Sequence, residues 1–226
     1  MPVGNASQSV QTTKLSTASR TVFITGAGSG IRAEISFSMT KYGTTDLGLT
    51  GHRADKREQT KYRILTSLPS TTVHVIISGI SSLPSVSSAL SNFAAELPPD
   101  HNKIDILIAD TSYANTHNAL EQTRPSKLAA VKIFNYFKFE NPGIRVISFH
   151  PGLPITDILQ KWFDYGVEVP LDDDNPPPYP ATPSGSFTVW TASPEATFLD
   201  SRLVWAAWDV DTLKVQASAL EQKPPR

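Results

Sequence analysis

The residues best suited to chemistry stand in one short run, Thr25-Gly26-Ala27-Gly28-Ser29-Gly30-Ile31-Arg32. Before it, Thr21 to Thr25 is a β-branched and aromatic stretch that reads as a buried strand. After it, Ile31, Ile35, Met39 and Tyr42 recur on one helical face up to Gly43, a natural C-terminal cap. Glycines between a strand and a helix let the backbone approach a pyrophosphate closely, and the helix N-terminus offers free N–H groups and a positive dipole end. The run therefore predicts the phosphate site of a dinucleotide. An acidic residue about 20 positions on would favour a ribose 2′-hydroxyl, and counting from Gly26 reaches Asp46. Asp46, however, opens the second strand, and at ~3.3 Å per residue its far end at His52 lies roughly 20 Å away. His52 and Arg53 stand at the correct end. A guanidinium there suits a 2′-phosphate, so NADP is expected in preference to NAD.

The other candidates have blander readings. His150 precedes Pro151 at a strand end, the place of a turn residue. The carboxylates of Asp172, Asp173 and Asp174 have no neighbouring histidine, which reads as a solvated loop rather than a metal site, and no metal is expected.

The elements that must position the glycine turn follow from periodicity. Leu47 to Thr50 reads as a second strand, Asp55 to Leu65 as a charged helix, Val73 to Ile77 as a third strand and Val86 to Leu97 as a helix. Ile104 to Ala109 is a fourth strand with the unbroken apolar character of a sheet covered on both faces. A helix follows from about Ser126 to Glu140, with Ala130, Phe134 and Phe137 on one face, then strands at Arg145 to Phe149 and Leu203 to Ala206. Strands alternating with helices imply an α/β fold with a doubly wound parallel sheet. The proline-dense segment 170–185 reads as a surface loop within a domain spanning 21–214, between tails at 1–20 and 215–226.

Composition narrows the function classes. The 226 residues carry 20 basic and 21 acidic side chains for a net charge of -1, so nothing is shaped for nucleic acid or an anionic membrane. Zero cysteines exclude disulfides, thiolate metal sites and cysteine nucleophiles. No apolar run approaches the ~18 residues of a membrane helix, and a cytoplasmic location is expected.

The glycine run resembles the cofactor fingerprint of the short-chain dehydrogenases/reductases, Thr-Gly-x-x-x-Gly-Ile-Gly. The likeness continues. Ile104-Asp105-Ile106-Leu107-Ile108 is similar to the family's fourth strand, and Ser126-Lys127-Leu128-Ala129-Ala130 to the helix carrying its Tyr-x-x-Ser-Lys motif. Asn141 to Gly152 resembles the sixth strand and its Pro-Gly loop. Ala192-Ser193-Pro194-Glu195-Ala196 through Val210 resembles fungal members found in secondary-metabolite pathways. The resemblance implies a Rossmann-like fold and NADP-linked oxidation or reduction of a carbonyl or alcohol on a small apolar metabolite. By it, Gly26, Ser29, Gly30, Ile31, Arg53, Lys127, Pro151, Gly152 and Thr156 would bind cofactor. Trp162, Phe163 and Tyr165 lie where the family covers its substrate, and would line an apolar pocket or belong to the core.

The departures fall on the chemistry. Arg32 replaces the last glycine of the fingerprint, where its side chain is expected to crowd the turn unless it swings outward to a phosphate. Ala109-Asp110-Thr111-Ser112 replaces the family's Asn-Asn-Ala-Gly, and Gly79 its adenine-contacting aspartate. In the family a tyrosine phenol donates a proton while a lysine four residues later lowers its pKa. Counting back from Lys127 reaches Thr123, whose hydroxyl is far too weak an acid. Pro125 fits the first position of a helix, which would place Thr123 outside it. Only ten residues, Tyr113 to Gln122, separate Ser112 from Thr123, whereas a helix and a strand need roughly 30 with their connections. One central helix-strand unit, bearing the catalytic serine, is therefore expected to be missing, so that the sheet closes up or leaves an unpaired edge. Tyr113 and Tyr136 are the nearest phenols, and Tyr136 is two and a half turns past Lys127, a packing position. Two readings stand: an NADP-linked oxidoreductase, or a non-catalytic relic that binds cofactor or a partner without turnover.

Overall fold

The computed structural model describes residues 16–51, 53–77, 83–101, 103–109, 119–166 and 178–222. Its first sheet is built around β1 (Thr21–Ile24), all four residues of which are buried. β2 (Asp46–Thr50) is equally buried and runs parallel to β1, Val22 opposite Leu47. With β3 (Thr72–Ile76) and β4 (Ile106–Ile108) the strand order is β3-β2-β1-β4, all pairs parallel. The crossovers are helical, as parallel strands require: α1 (Gly30–Lys41), α2 (Ala54–Ser67) and α3 (Leu83–Glu96). Their apolar sides bury one face of the sheet against Ile35, Met39 and Ile64 and the other against Ala89, Phe93 and Leu97. Phe23 meets Phe93 at 5.2 Å between ring centroids.

A second, two-stranded parallel sheet pairs β5 (Ile147–His150) with β6 (Arg202–Trp205). Between β4 and β5 the chain forms α4 (Ala119–Glu140), and between β5 and β6 it forms α5 (Asp157–Asp164) and α6 (Thr182–Ala192). α7 (Val210–Val215) and α8 (Ala217–Glu221) follow. A core of Phe187, Trp190, Phe198, Leu199, Val204, Val210 and Leu213 lies under this sheet. Phe149 packs against both this core and the first. The architecture is a Rossmann-like α/β fold with parallel strands.

Among the described residues no ladder joins β4 to β5. Residues 110–118, where the missing helix-strand unit was expected to leave its gap, lie outside the described residues. The expectation that β4 is covered on both faces fails, since Leu107 is 50% exposed. From Leu128 to Glu140 no side chain of α4 is buried, and Phe137 on its expected inner face is 43% exposed. A helix needs a neighbouring strand or layer to bury its stripe, and among the described residues none buries that of α4.

Four boundaries are corrected. Thr17 is buried, with its hydroxyl donating to the Met39 carbonyl at 2.8 Å, so packing begins before residue 21. α8 lies beyond residue 214 and sets Leu220 against the second core. The proline-dense segment ends sooner than 185, because Pro183 sits in the first turn of α6, where its missing N–H costs nothing. Pro125 lies inside α4 rather than at its first position, which keeps Thr123 in the helix. No helix among the described residues is long and apolar enough to cross a membrane.

Candidate functional site

The glycine turn is held by the strand ends around it. The Thr25 N–H donates to the Ile108 carbonyl at 3.0 Å and the Ala27 N–H to Thr50 at 2.9 Å, so the turn caps β1 between β4 and β2. Gly26 has φ +68°, a conformation costly to a residue bearing Cβ. Gly28 answers to a different demand. A Cβ there would stand 3.0 Å from Lys56 Cβ and 3.4 Å from the Arg57 backbone nitrogen, so α2 packs directly on the turn. Thr60 adds a hydrogen bond from its hydroxyl to the Ala27 carbonyl at 3.2 Å. Ile31 packs into the first core, making it a wedge for α1 rather than a polar contact.

At the start of α1, Ser29 occupies the N-cap in extended conformation, yet its hydroxyl makes no capping bond. Instead Ser29 Oγ accepts from Arg53 Nη2 at 2.5 Å. Arg53 is the N-cap of α2, just past the C-terminal end of β2, and is exposed. The structure thus joins two residues 24 positions apart that the sequence placed in the same site. The start of α1 therefore has N–H groups that the Ser29 side chain does not cap. Asp46 lies at the opposite end of β2, where its carboxylate is engaged by His74 Nε2 at 3.3 Å. His52 and Gly79 lie outside the described residues.

Arg32 does not swing away. A Cβ on Gly26 would collide with the Arg32 guanidinium, whose Cδ stands 3.3 Å from that point, so the side chain folds back over the turn. Arg57, which the sequence reading missed, is buried against the turn at Gly28, at 2% exposure. Its Nη1 donates to the Gly51 and Ile76 carbonyls, bracing the ends of β2 and β3, while its Nε has no hydrogen-bond partner. Arg57 follows Arg53 by one helical turn in a run already rich in cations, and that spacing was the available signal.

The second sheet contributes the loop after β5. Thr156 is the N-cap of α5, its hydroxyl accepting from the Leu159 N–H at 3.3 Å. Its methyl stands 3.3 Å from where a Cβ on Gly30 would lie, so Thr156 packs against the turn. The Pro151 carbonyl accepts from the Tyr179 phenol at 2.5 Å and from the Ser184 hydroxyl at 3.1 Å. A Cβ on Gly152 would collide with the same phenol. Burial raises the Tyr179 pKa above the ordinary phenol value against a lowering by the Ser184 hydrogen bond, which keeps the phenol a proton-bearing donor. Tyr179 and Ser184 were also missed, being lost in the segment read as a surface loop. His150 fills its turn role, with Nδ1 accepting from the Gly152 N–H at 3.1 Å.

The catalytic candidates stand apart. Thr123 and Lys127 are both in α4, one helical turn apart along the backbone, and their side chains lie outside the described residues. Tyr113, Thr111, Ser112 and the acidic run at 172–174 lie outside them entirely. Tyr136 is 73% exposed and Tyr165 66%, whereas Trp162 is half-buried on α5.

A parallel sheet with a glycine turn at the C-terminal end of its first strand defines a Rossmann-like α/β protein. No family model matches the chain. It is 37% identical over 91 residues to the short chain dehydrogenase/reductase AacuD of Aspergillus aculeatus, covering 39% of this chain and 29% of that one. To a short chain dehydrogenase/reductase of Claviceps purpurea it is 39% identical over 92 residues, again 39% of this chain and 29% of the relative. The chain spans less than a third of the length of these curated relatives. Among solved structures it is similar to a hydroxysteroid dehydrogenase from Escherichia coli, with TM-score 0.66 and 17% identity, over 85% of this chain and 97% of that one. The L-sorbose reductase of Gluconobacter frateurii, complexed with NADPH and L-sorbose, gives 0.65 at 14% identity over 87% and 97% of the two chains. Over part of its length the chain is thus similar in sequence to fungal short-chain dehydrogenases/reductases, and it shares the fold of these solved structures.

Proposed function

We propose that the chain binds NADP(H) through the β1–α1 turn without reducing carbonyls on its own. The observation that carries this reading is the Arg53 guanidinium fixed on Ser29 at the mouth of the turn. The N–H groups of α1 would take the pyrophosphate and Arg53 the 2′-phosphate, a planar cation suited to that anion. When bound, the group supplies a hydride. The chain's own part is to hold it, and Ser29, Gly30 and Thr156 lie together for that purpose. Solved neighbours that carry NADPH or NADP, such as the sorbose reductase and an acyl-carrier-protein reductase from Agrobacterium tumefaciens, support the cofactor class. Without cysteine the chain has no need of an oxidising compartment, which agrees with a cytoplasmic setting.

The test is calorimetric titration with NADPH and NADH. NADPH should bind more tightly, and Arg53→Ala should erase the difference. Equal affinities in the unaltered chain would refute the assignment of Arg53.

One observation favours a second reading, an active oxidoreductase on a small apolar metabolite. Thr123 and Lys127 retain the four-residue helical spacing of the family's proton donor and lysine. The donor position nevertheless holds an aliphatic hydroxyl, and no described strand separates β4 from β5 to offer a serine.

A further inference from the structure

The loop after β5, residues 151–156, has few backbone donors of its own. Pro151 and Pro154 carry no N–H, and the Gly152 N–H is taken by His150 Nδ1 at 3.1 Å. Among the described residues, both backbone bonds that tie this loop to another segment go to Tyr179. The Tyr179 N–H donates to the Leu153 carbonyl at 3.2 Å, and the Ile155 N–H donates to the Tyr179 carbonyl at 2.8 Å, which makes a parallel bridge of Pro154 with Tyr179. The phenol adds a third tie, donating to the Pro151 carbonyl at 2.5 Å. Gly152 makes room for it: with φ +76° and no Cβ to strike the ring, the chain bends round the phenol. Tyr179 is itself rooted in the other half of the molecule. α6 begins three residues later and is pressed on α1, where a Cβ on Gly185 would stand 3.0 Å from the Glu34 carbonyl oxygen and the Thr182 hydroxyl donates to Glu34 Oε1 at 3.3 Å. The far end of the loop rests on α1 as well, through the Thr156 methyl at Gly30.

We infer that Tyr179 is a clasp: its phenol, fixed on the Pro151 carbonyl, holds the β5–α5 loop closed onto the start of α1 before any ligand binds. Tyr179 is thus a positioning residue, acting on Thr156 through the loop between them. The Ser184 hydroxyl reaches the same carbonyl at 3.1 Å, but it forms no bridge with residues 153–155 and does not hold them. The place of the loop is a property of the fold, so the inference stands whatever the turn binds.

The experiment is amide hydrogen exchange of the full chain with no ligand added, read by NMR at Ile155 and at Val22 to Ile24 of β1. In the unaltered chain the Ile155 amide should exchange about a hundredfold or more slowly than in an unstructured peptide of the same sequence. Tyr179→Phe keeps the ring and removes the donor. It should speed exchange at Ile155 by about fivefold to tenfold, the loss of one hydrogen bond, and leave β1 within about twofold. Ser184→Ala removes the second donor to Pro151 and should leave Ile155 within about twofold of the unaltered chain. Exchange of Ile155 at the unstructured rate in the unaltered chain would overturn the inference without recourse to any variant. An unchanged Ile155 rate in Tyr179→Phe, an equal acceleration in β1, or as large an effect from Ser184→Ala would overturn it as well.

Discussion

At the scale of single residues, Arg32 is the side chain that would decide how well the turn takes the phosphate of the proposed cofactor. Its guanidinium lies over Gly26, where a ligand's pyrophosphate needs close approach to the backbone. Fitting a large group into a tight site costs typically 1–3 kcal/mol, and an exposed ion pair returns about 1 kcal/mol or less. Arg32→Gly should therefore tighten NADPH binding by about fivefold in calorimetry, a gain of roughly 1 kcal/mol. Weaker binding would make Arg32 a phosphate ligand. The turn itself was legible, because a glycine run between a strand pattern and a helix pattern has few other uses. Arg53 and the rejection of Asp46 were legible too, since strand rise alone sets which end of β2 meets the turn. Tyr179 was not. Its bond to Pro151 spans 28 residues and begins in a stretch of prolines and aspartates that carries no period to read.

At the scale of elements, the short count between Ser112 and Thr123 is the ground for expecting a missing strand, and among the described residues no ladder joins β4 to β5. Counting could not foretell that Pro125 would lie within α4, where it forfeits a backbone hydrogen bond, because proline at a helix start is the cheaper arrangement. What fastens the end of α4 is polar. Lys138 Nζ pairs with Asp200 at 2.7 Å and donates to the Pro142 and Ile144 carbonyls, while Asp200 also accepts from the Val146 N–H at 3.0 Å. Burial raises the Asp200 pKa, but the hydrogen bonds from Lys138 and Val146 and the charge of Lys138 outweigh it, and the net direction is down. A carboxyl lowered in the folded chain stabilises above its unfolded pKa of about 3.9 and loses that contribution as pH falls through the lowered value. Asp200→Asn should thus cost about 1 kcal/mol near pH 7. In thermal melts the gap between variant and parent should close as the pH falls below the ordinary carboxyl range. A gap independent of pH would show that the carboxylate charge does nothing for the joint.

At the scale of the whole molecule, the proposed reading joins a nucleotide-binding half to a half that lacks the family's proton donor. The Rossmann-like half was readable throughout, since its strands and helices carry strong periods. The second half was readable only as strands, because α5 to α8 are short and their packing is set by distant partners such as Phe149 and Phe187, 6.0 Å apart. The consequence for chemistry is quantitative. Loss of one general acid costs about 10²- to 10⁴-fold, and loss of an oxyanion donor a further 10²- to 10³-fold or so, with both acting as one unit. Restoring the phenol alone through Thr123→Tyr supplies an acid without the serine or the pocket wall. The decisive measurement is NADPH consumption by the purified chain against a panel of apolar ketones, beside Thr123→Tyr and Lys127→Ala. The account predicts that all three proteins match the rate without protein, and Lys127-dependent turnover in the unaltered chain would contradict it.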